Sequence, residues 1–224
     1  MGRFEETLTD LERAAQRSPA VLVAYSGGKD AMCTMDMCVR TFKHVEAFFM
    51  YLVPGLEHVE VALDFARKRW GIETIRQYPH FTVPRLVKSG CYCYCPGRLD
   101  SMPDLRLGDI YAAAMADSGI RMIATGAKKA DSMFRRKSWQ QFEKDYLVYP
   151  LKDWGTRDVF SYLSIRGLPV PTGNKGHQAS GVDLTTRDLL RIYDSFPADF
   201  DKIEEAFPYV RAVVKRREWY GISE

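Results

Sequence analysis

The segment with the clearest capacity for chemistry is Ser26-Gly27-Gly28-Lys29-Asp30. Adjacent glycines let the backbone turn sharply and bring its N–H groups close to an anion, and the helix expected to follow adds unpaired N–H donors and a positive dipole end. Ser26 can donate its hydroxyl, and Lys29 supplies a point charge. Asp30 is open to two interpretations, a Mg²⁺ ligand or the N-terminal cap of that helix. The segment predicts a phosphate-binding site.

A second group of charged residues follows the expected fourth strand. It comprises Lys128, Lys129, Arg135, Arg136 and Lys137. Such a run could be an ordinary solvated surface. Because it follows the carboxyl end of a strand, the alternative is that two or more of these side chains contact phosphate or sulfate-like oxygens.

The third feature is the cysteine run Cys91-Tyr92-Cys93-Tyr94-Cys95. If it were extended, all three thiols would lie on one face. Three thiolates could hold a soft metal or part of an iron–sulfur cluster, or carry activated sulfur, although the usual ligand spacing is Cys-x-x-Cys. A purely structural role stays open as a third interpretation. Cys33 and Cys38, on the helix after the glycine pair, are interpreted as small hydrophobes.

The elements that position these groups alternate along the chain. Strands are predicted at residues 21–25, 45–53, 72–78, 121–125 and 147–149, and helices at 4–17, 31–40, 57–70 and 105–118. This alternation predicts an α/β fold, an open parallel five-stranded sheet with helices on both faces, because parallel strands need crossover connections. The carboxyl ends of such strands carry the ligands.

The strand pattern fades after residue 150. Helices are predicted at 156–166, 185–193 and 198–219, the last interrupted at Pro208. We therefore expect two regions, an α/β domain at 1–150 and a C-terminal helical extension at 151–224 packed on it.

Composition excludes several classes of protein. The chain has 224 residues, 46% of them hydrophobic, and a net charge of +3, which argues against a dedicated polyanion-coating protein but not against a local basic patch. Apolar runs are too short to span a membrane. Five cysteines form no disulfide scaffold, and the first residues lack the apolar core of a signal peptide, so we expect a cytoplasmic location without a membrane partner.

The glycine segment fits one known phosphate loop and fails two others. A Walker A loop needs Gly where Val23 stands and Ser or Thr where Asp30 stands, and a dinucleotide fingerprint needs separated glycines. Ser-Gly-Gly-x-Asp resembles the pyrophosphate loop of the PP-loop (adenine nucleotide α-hydrolase) superfamily. The resemblance implies an adenine-nucleotide site at Tyr25 and residues 26–30, with Lys29 and Asp30 in catalysis. Ala31 stands where that loop usually has Ser.

Two further segments resemble the phosphoadenosine phosphosulfate (PAPS) reductase branch, which includes the small subunit of sulfate adenylyltransferase. They are the Pro-Leu-x-x-Trp-x-x-x-Asp-Val pattern at 150–159 and a second nucleotide loop at 125–132. The resemblance implies nucleotide contacts from Thr125, Gly126, Lys128, Lys129 and Asp131, with Lys128 also catalytic. The thiol-dependent members carry a C-terminal Glu-Cys-Gly-x-His segment, whereas no cysteine follows Cys95 here.

These resemblances imply an enzyme that binds ATP with Mg²⁺ and transfers the adenylyl group with release of pyrophosphate, in sulfur-related metabolism or modification. One alternative is reduction of PAPS or APS to sulfite by a cysteine of the run Cys91, Cys93 and Cys95. The other is a nucleotide-dependent module that binds or modifies nucleic acid through 128–137 and 215–217. The acceptor, small molecule or nucleic acid, stays open, as does the choice between a homodimer and a partner subunit.

Overall fold

The sheet is built from five short, parallel strands. The computed structural model describes residues 3–92, 103–170 and 184–221. The strands are β1 (Ala20–Ala24), β2 (His44–Tyr51), β3 (Ile75–Pro79), β4 (Ile123–Thr125) and β5 (Leu147–Val148). Their order is β3-β2-β1-β4-β5 and all pairs are parallel, which confirms the predicted open α/β sheet. The central strand β1 consists only of apolar residues, including the β-branched Val21 and Val23, which suits a strand with both faces covered.

Ten α-helices lie within the described residues. They are α1 (Arg3–Arg17), α2 (Lys29–Thr41), α3 (Glu57–Trp70), α4 (Val83–Lys88), α5 (Leu107–Ser118), α6 (Met133–Lys137), α7 (Thr156–Ile165), α8 (Thr186–Ser195), α9 (Pro197–Ala206) and α10 (Arg211–Tyr220). The predicted helices are all present with small shifts of their ends. The short helices α4 and α6 were not predicted. None of the described helices has the length and apolar character needed to cross a membrane.

Two apolar cores cover the two faces of the sheet. Side chains of successive strand residues point to opposite faces, so Val21 and Val23 belong to the larger core and Leu22 to the smaller one. The larger core contains residues of α1, α2, α3 and the C-terminal helices, and the smaller one contains Ile110 and Ala114 of α5. Helices therefore cover both faces, as predicted.

The C-terminal helices are joined to helix α3 by a buried carboxylate. Asp199 of α9 is 1% exposed and accepts hydrogen bonds from the backbone N–H groups of Glu57 (2.7 Å) and His58 (2.9 Å), at the start of α3. The His58 Nδ1 lies 2.7 Å from the same carboxylate. Burial opposes ionisation of Asp199, but these hydrogen bonds outweigh it and lower the pKa. The carboxylate thus caps α3 from a distant part of the chain.

The N-terminal helix α1 is joined to the segment at 150–158. The Trp154 indole N–H donates to the Thr7 hydroxyl at 2.9 Å, and that hydroxyl lies 3.2 Å from the carbonyl oxygen of Pro150. Arg3 pairs with Asp158 at 2.8 Å. Trp154 and Val159 are buried, so the pattern that resembles the PAPS reductase branch has a packing role here.

Candidate functional site

The predicted phosphate loop lies where the strand order reverses. The chain leaves β1 toward β2 on one side, whereas β4 pairs with β1 on the other side, with Ala24 opposite Thr125. Loops that leave two such neighbouring strands diverge and open a crevice, which is where ligands bind in open α/β sheets. The segments at 25–30 and 126–131 leave these two strands at the same end of the sheet and touch each other there, at Asp30 and Lys128.

The loop after β1 has the backbone shape that an anion requires. Gly27 has φ +73°, in the region that favours glycine, and a Cβ on it would lie 3.4 Å from the Cβ of Ala62 on α3. Gly28 is the N-cap of α2 and has no side chain to cap the helix. The first amides of α2 are thus available to a ligand at the positive end of the helix dipole.

Two residues precede the glycine turn, and the first of them is fixed to the sheet. Tyr25 is buried, and its backbone N–H donates to the carbonyl oxygen of Phe48 on β2 at 2.9 Å. Burial raises the pKa of its phenol, so Tyr25 stays neutral. Ser26 is half-buried at the mouth, where its hydroxyl could donate to a bound phosphate.

Three charged side chains from the two loops converge behind the glycines. The Lys128 Nζ lies 2.5 Å from Asp30 Oδ1, and the Lys29 Nζ lies 3.4 Å from Asp30 Oδ2. Lys128 is only 3% exposed and Lys29 only 9%. Two ammonium groups thus share the Asp30 carboxylate. With Asp131, which lies 3.6 Å from the Lys128 Nζ and pairs with Arg135, the group has three cations and two carboxylates, so a surplus positive charge remains around two buried lysines. Such a surplus favours a polyanionic ligand, because Coulomb attraction strengthens as water is excluded.

The interpretation of Asp30 as a helix cap is wrong. Gly28 is the N-cap, and Asp30 lies inside the first turn of α2, where its carboxylate pairs with Lys128 rather than with the helix amides. The side chain can therefore serve the other role, as an oxygen ligand at the mouth of the crevice. Mg²⁺ in nucleotide sites is commonly bound by one or two carboxylates together with phosphate oxygens, and this donor set fits that pattern.

Asp131 organises the second loop around Lys128. Its carboxylate accepts the backbone N–H of Lys128 at 2.9 Å and the Arg135 guanidinium at 2.8 Å, and lies 3.6 Å from the Lys128 Nζ. Asp131 therefore orients Lys128. The Lys129 Nζ pairs with Asp153 at 2.7 Å and lies 5.8 Å from the centre of the Trp139 ring.

Gly126 has a steric role that explains its residue type. A Cβ at this position would lie 3.0 Å from both the carbonyl carbon and oxygen of Asp30, and 3.2 Å from the Asp30 Cβ. These are backbone and near-backbone atoms that cannot rotate away. The loop after β4 thus rests directly on the first turn of α2, and any side chain at this position would force the two backbones apart by a few tenths of an ångström.

The cysteine run is described only at its start. Cys91 and Tyr92 lie in a turn, with Tyr92 at φ +52°, so the extended geometry is wrong at that point. Cys93 and Cys95 lie outside the described residues. Within the described residues no three His, Cys, Asp or Glu side chains are grouped so as to hold a metal. Cys33 and Cys38 are fully buried, as small hydrophobes would be, and burial raises the pKa of each thiol.

Asp36, a buried carboxylate of α2, was not singled out from the sequence. It accepts hydrogen bonds from the Trp70 indole (3.0 Å), the Tyr162 hydroxyl (2.7 Å) and Arg166 Nε (2.8 Å). Burial opposes ionisation, but these donors outweigh it and lower the pKa of Asp36. They fix α2 between α3 and α7. The available signal was an acid between Met35 and Met37 in an apolar stretch.

Comparisons with known proteins bear on the fold. No protein-family model matches the chain, and no curated protein matches it. Among solved structures, the U34-tRNA thiolase NcsA from Methanococcus maripaludis, solved with its [4Fe-4S] cluster, is 14% identical with a TM-score of 0.51, and the match covers 95% of this chain and 80% of the thiolase.

An NH3-dependent NAD synthetase from Campylobacter jejuni, in complex with nitrate, is 11% identical with a TM-score of 0.48 over 98% of this chain and 95% of the synthetase. At such identities a match concerns fold alone, and the second TM-score is too low to support an argument. The chain therefore has the fold of the thiolase.

Proposed function

We propose that the crevice between β1 and β4 binds ATP with Mg²⁺, and that the protein transfers the adenylyl group to an oxygen nucleophile with release of pyrophosphate. The observation that carries this proposal is the contact between the Ser-Gly-Gly-Lys-Asp loop and a second loop that buries Lys128 against it. The resemblance of that loop to the PP-loop superfamily supports it. The likeness to the thiolase, a member of that superfamily, supports the superfamily rather than its PAPS reductase branch.

Each residue of the crevice has a role in this reaction. The amides of Gly27 and Gly28 and the Ser26 hydroxyl would hold the β- and γ-phosphates, with Lys29 and Lys128 neutralising their charge. Asp30 would be the protein ligand of Mg²⁺, which would offset the negative charge of the phosphates. Because no protein nucleophile is required, catalysis rests on positioning and on charge stabilisation.

The step itself is a displacement at the α-phosphorus. The acceptor oxygen forms a bond to that phosphorus while the bond to the bridging oxygen of the β-phosphate breaks. The electron pair leaves with pyrophosphate, which the glycine loop and both lysines stabilise. Any proton on the acceptor oxygen passes to solvent. The resemblance to the PAPS reductase branch favours sulfate, or a carbonyl oxygen later replaced by sulfur, as the acceptor.

Calorimetric titration with the α,β-methylene analogue of ATP and Mg²⁺ tests the binding step. We expect the native protein to bind it, and Lys29→Ala and Lys128→Met each to weaken binding about tenfold or more, since hydrogen bonds to charged groups contribute about 1.5–3 kcal/mol. Arg121→Ala is the matched control, because Arg121 is exposed just before β4, at the opposite edge of the sheet. Absent binding, or equal binding by all variants, would contradict the proposal.

A second assay separates transfer from reduction. Pyrophosphate release from ATP across candidate oxygen acceptors is the expected activity. Sulfite release from PAPS with a thiol donor, without pyrophosphate formation from ATP, would instead favour reduction through the cysteine run. Burial raises the pKa of Cys91, whereas a reactive thiol needs a lowered pKa.

A further inference from the structure

An exposed, basic and apolar surface lies beside the candidate crevice. It consists of Met133, Phe134, Arg136 and Lys137 of helix α6, and we call it the α6 surface. Met133 is 71% exposed and Phe134 is 65% exposed. Arg136 and Lys137 are exposed and form no ion pair with any residue in the described ranges. Two large apolar side chains thus stand in solvent beside two uncompensated cations.

Positive charge is concentrated in this part of the chain. Residues 128–144 contain six Lys or Arg and two Asp or Glu, a net charge of +4, whereas the whole chain carries +3. Lys128, Lys129 and Arg135 pair with Asp30, Asp153 and Asp131. Arg136 and Lys137 therefore supply the positive charge that helix α6 presents to solvent. A weakly charged protein with one local positive field attracts a polyanion to that field, so the small overall charge does not argue against such a partner at this surface.

Hydrogen bonds link the α6 surface to the loop that carries Lys128. Ser132 is the N-cap of α6 and accepts the backbone N–H of Arg135 at 3.0 Å, and the Arg135 side chain in turn binds Asp131, which orients Lys128. The Phe134 ring packs edge-on against Phe142, with ring centres 6.1 Å apart. A partner bound to the α6 surface would therefore lie close to Lys128 and Asp30.

We propose that the α6 surface binds a single-stranded segment of nucleic acid. Arg136 and Lys137 would contact backbone phosphates, and Phe134 and Met133 would stack against unpaired bases, the combination by which proteins hold single strands. A duplex hides the base faces that Phe134 would need. If the adenylyl transfer proposed above is correct, its acceptor is a base carbonyl oxygen of the bound strand, not sulfate, and this last step alone rests on that function.

Fluorescence anisotropy with labelled 12-nucleotide oligo(U) and oligo(dT), read over a salt series, tests the proposal. We expect binding to at least one of them that weakens as salt rises. Arg136→Ala/Lys137→Ala should lower the slope of log K against log salt by about 1.4, because each phosphate contact in a single strand contributes about 0.7. Phe134→Ala should weaken binding at least about fivefold through lost stacking. The comparison between oligo(U) and oligo(dT) distinguishes RNA from DNA.

The matched control is Lys43→Ala/Arg121→Ala. Both residues are exposed immediately before β2 and β4, at the amino edge of the sheet, so this variant removes the same charge far from the crevice. We expect its salt slope to equal that of the native protein. If the control and test variants lost affinity equally, the effect would come from net charge alone and the proposal would be overturned. The absence of binding to both oligonucleotides would also overturn it.

Two further measurements keep the outcome specific. Titration with the α,β-methylene analogue of ATP should be unchanged in Phe134→Ala, since a weakened affinity would make the α6 surface part of the nucleotide site instead. Sedimentation velocity should give the same mass for native protein and Phe134→Ala. Loss of a dimer in the variant would instead show that the α6 surface is a contact between two copies of the chain. Nucleotide binding without oligonucleotide binding would refute this inference and leave the proposed function intact.

Discussion

Replacing Gly126 with alanine would test whether the two loops must touch for the crevice to work. The new Cβ would lie 3.0 Å from the carbonyl carbon and oxygen of Asp30 and 3.2 Å from its Cβ. Ordinary contacts begin near 3.4 Å, so the backbone must separate by a few tenths of an ångström. Overpacking of this kind costs about 1–3 kcal/mol of the free energy of unfolding.

The same displacement should weaken nucleotide binding. It would move the loop after β4, and Lys128 with it, away from the first turn of α2, where Lys128 and Lys29 share the Asp30 carboxylate. We expect an affinity loss of about tenfold for the α,β-methylene analogue of ATP, which corresponds to about 1.4 kcal/mol. Calorimetry reports the affinity, and urea unfolding reports the stability.

Gly108→Ala is the matched control for this substitution. Gly108 lies in the first turn of α5, is exposed, and a Cβ there would meet nothing within 4 Å. Alanine should raise the free energy of unfolding by about 0.5–1 kcal/mol there and leave binding unchanged. If Gly126→Ala matched Gly108→Ala in both stability and affinity, the argument that the loops are in forced contact would be refuted.

Three further predictions concern the frame of the site. Asp199→Asn should lower the free energy of unfolding by about 2 kcal/mol at pH 7 in urea titrations. Because the folded pKa is lowered, this deficit should persist above about pH 4 and shrink as pH falls through the folded pKa. Asp201→Asn, at an exposed position on the same helix, should change the free energy of unfolding by less than about 0.5 kcal/mol. If Asp199→Asn and Asp201→Asn had equal effects, the capping role of Asp199 would be contradicted. Tyr162→Phe removes a hydrogen bond to the buried carboxylate on α2 and should cost about 1 kcal/mol; no loss in the same titration would contradict that bond's contribution. Cys33 and Cys38 should resist iodoacetamide until urea unfolds the protein, as read by mass spectrometry, and rapid labelling of the native protein would contradict their burial.

The sheet was predictable because its signals are local. The apolar run at 21–25 and the helix at 57–70 are complete within a few residues of sequence, and the structure places that helix at Glu57–Trp70. The turn at Gly27 was predictable for the same reason, since two adjacent glycines between a strand and a helix leave few alternatives. Short helices such as Met133–Lys137 escape such reasoning because five residues do not display a helical period.

Contacts between distant residues account for what the sequence did not reveal. Asp30 pairs with Lys128, 98 residues away, and that partner, rather than local capping preference, decides the role of its carboxylate. Nothing in the sequence near Asp36 or Asp199 marks these acids as buried. Their hydrogen-bond donors lie more than 120 residues away, on Tyr162 for Asp36 and at the start of α3 for Asp199. Local pattern predicts which element a residue occupies, whereas a buried charge is explained only by partners that the fold brings together.

The most direct test of the central claim is a crystal structure of the protein with the α,β-methylene analogue of ATP and Mg²⁺. We predict β- and γ-phosphate oxygens within hydrogen-bonding distance of the amides of Gly27 and Gly28, with the Nζ atoms of Lys29 and Lys128 beside them and the metal next to Asp30. A nucleotide bound elsewhere on the molecule, with this crevice empty, would contradict the claim.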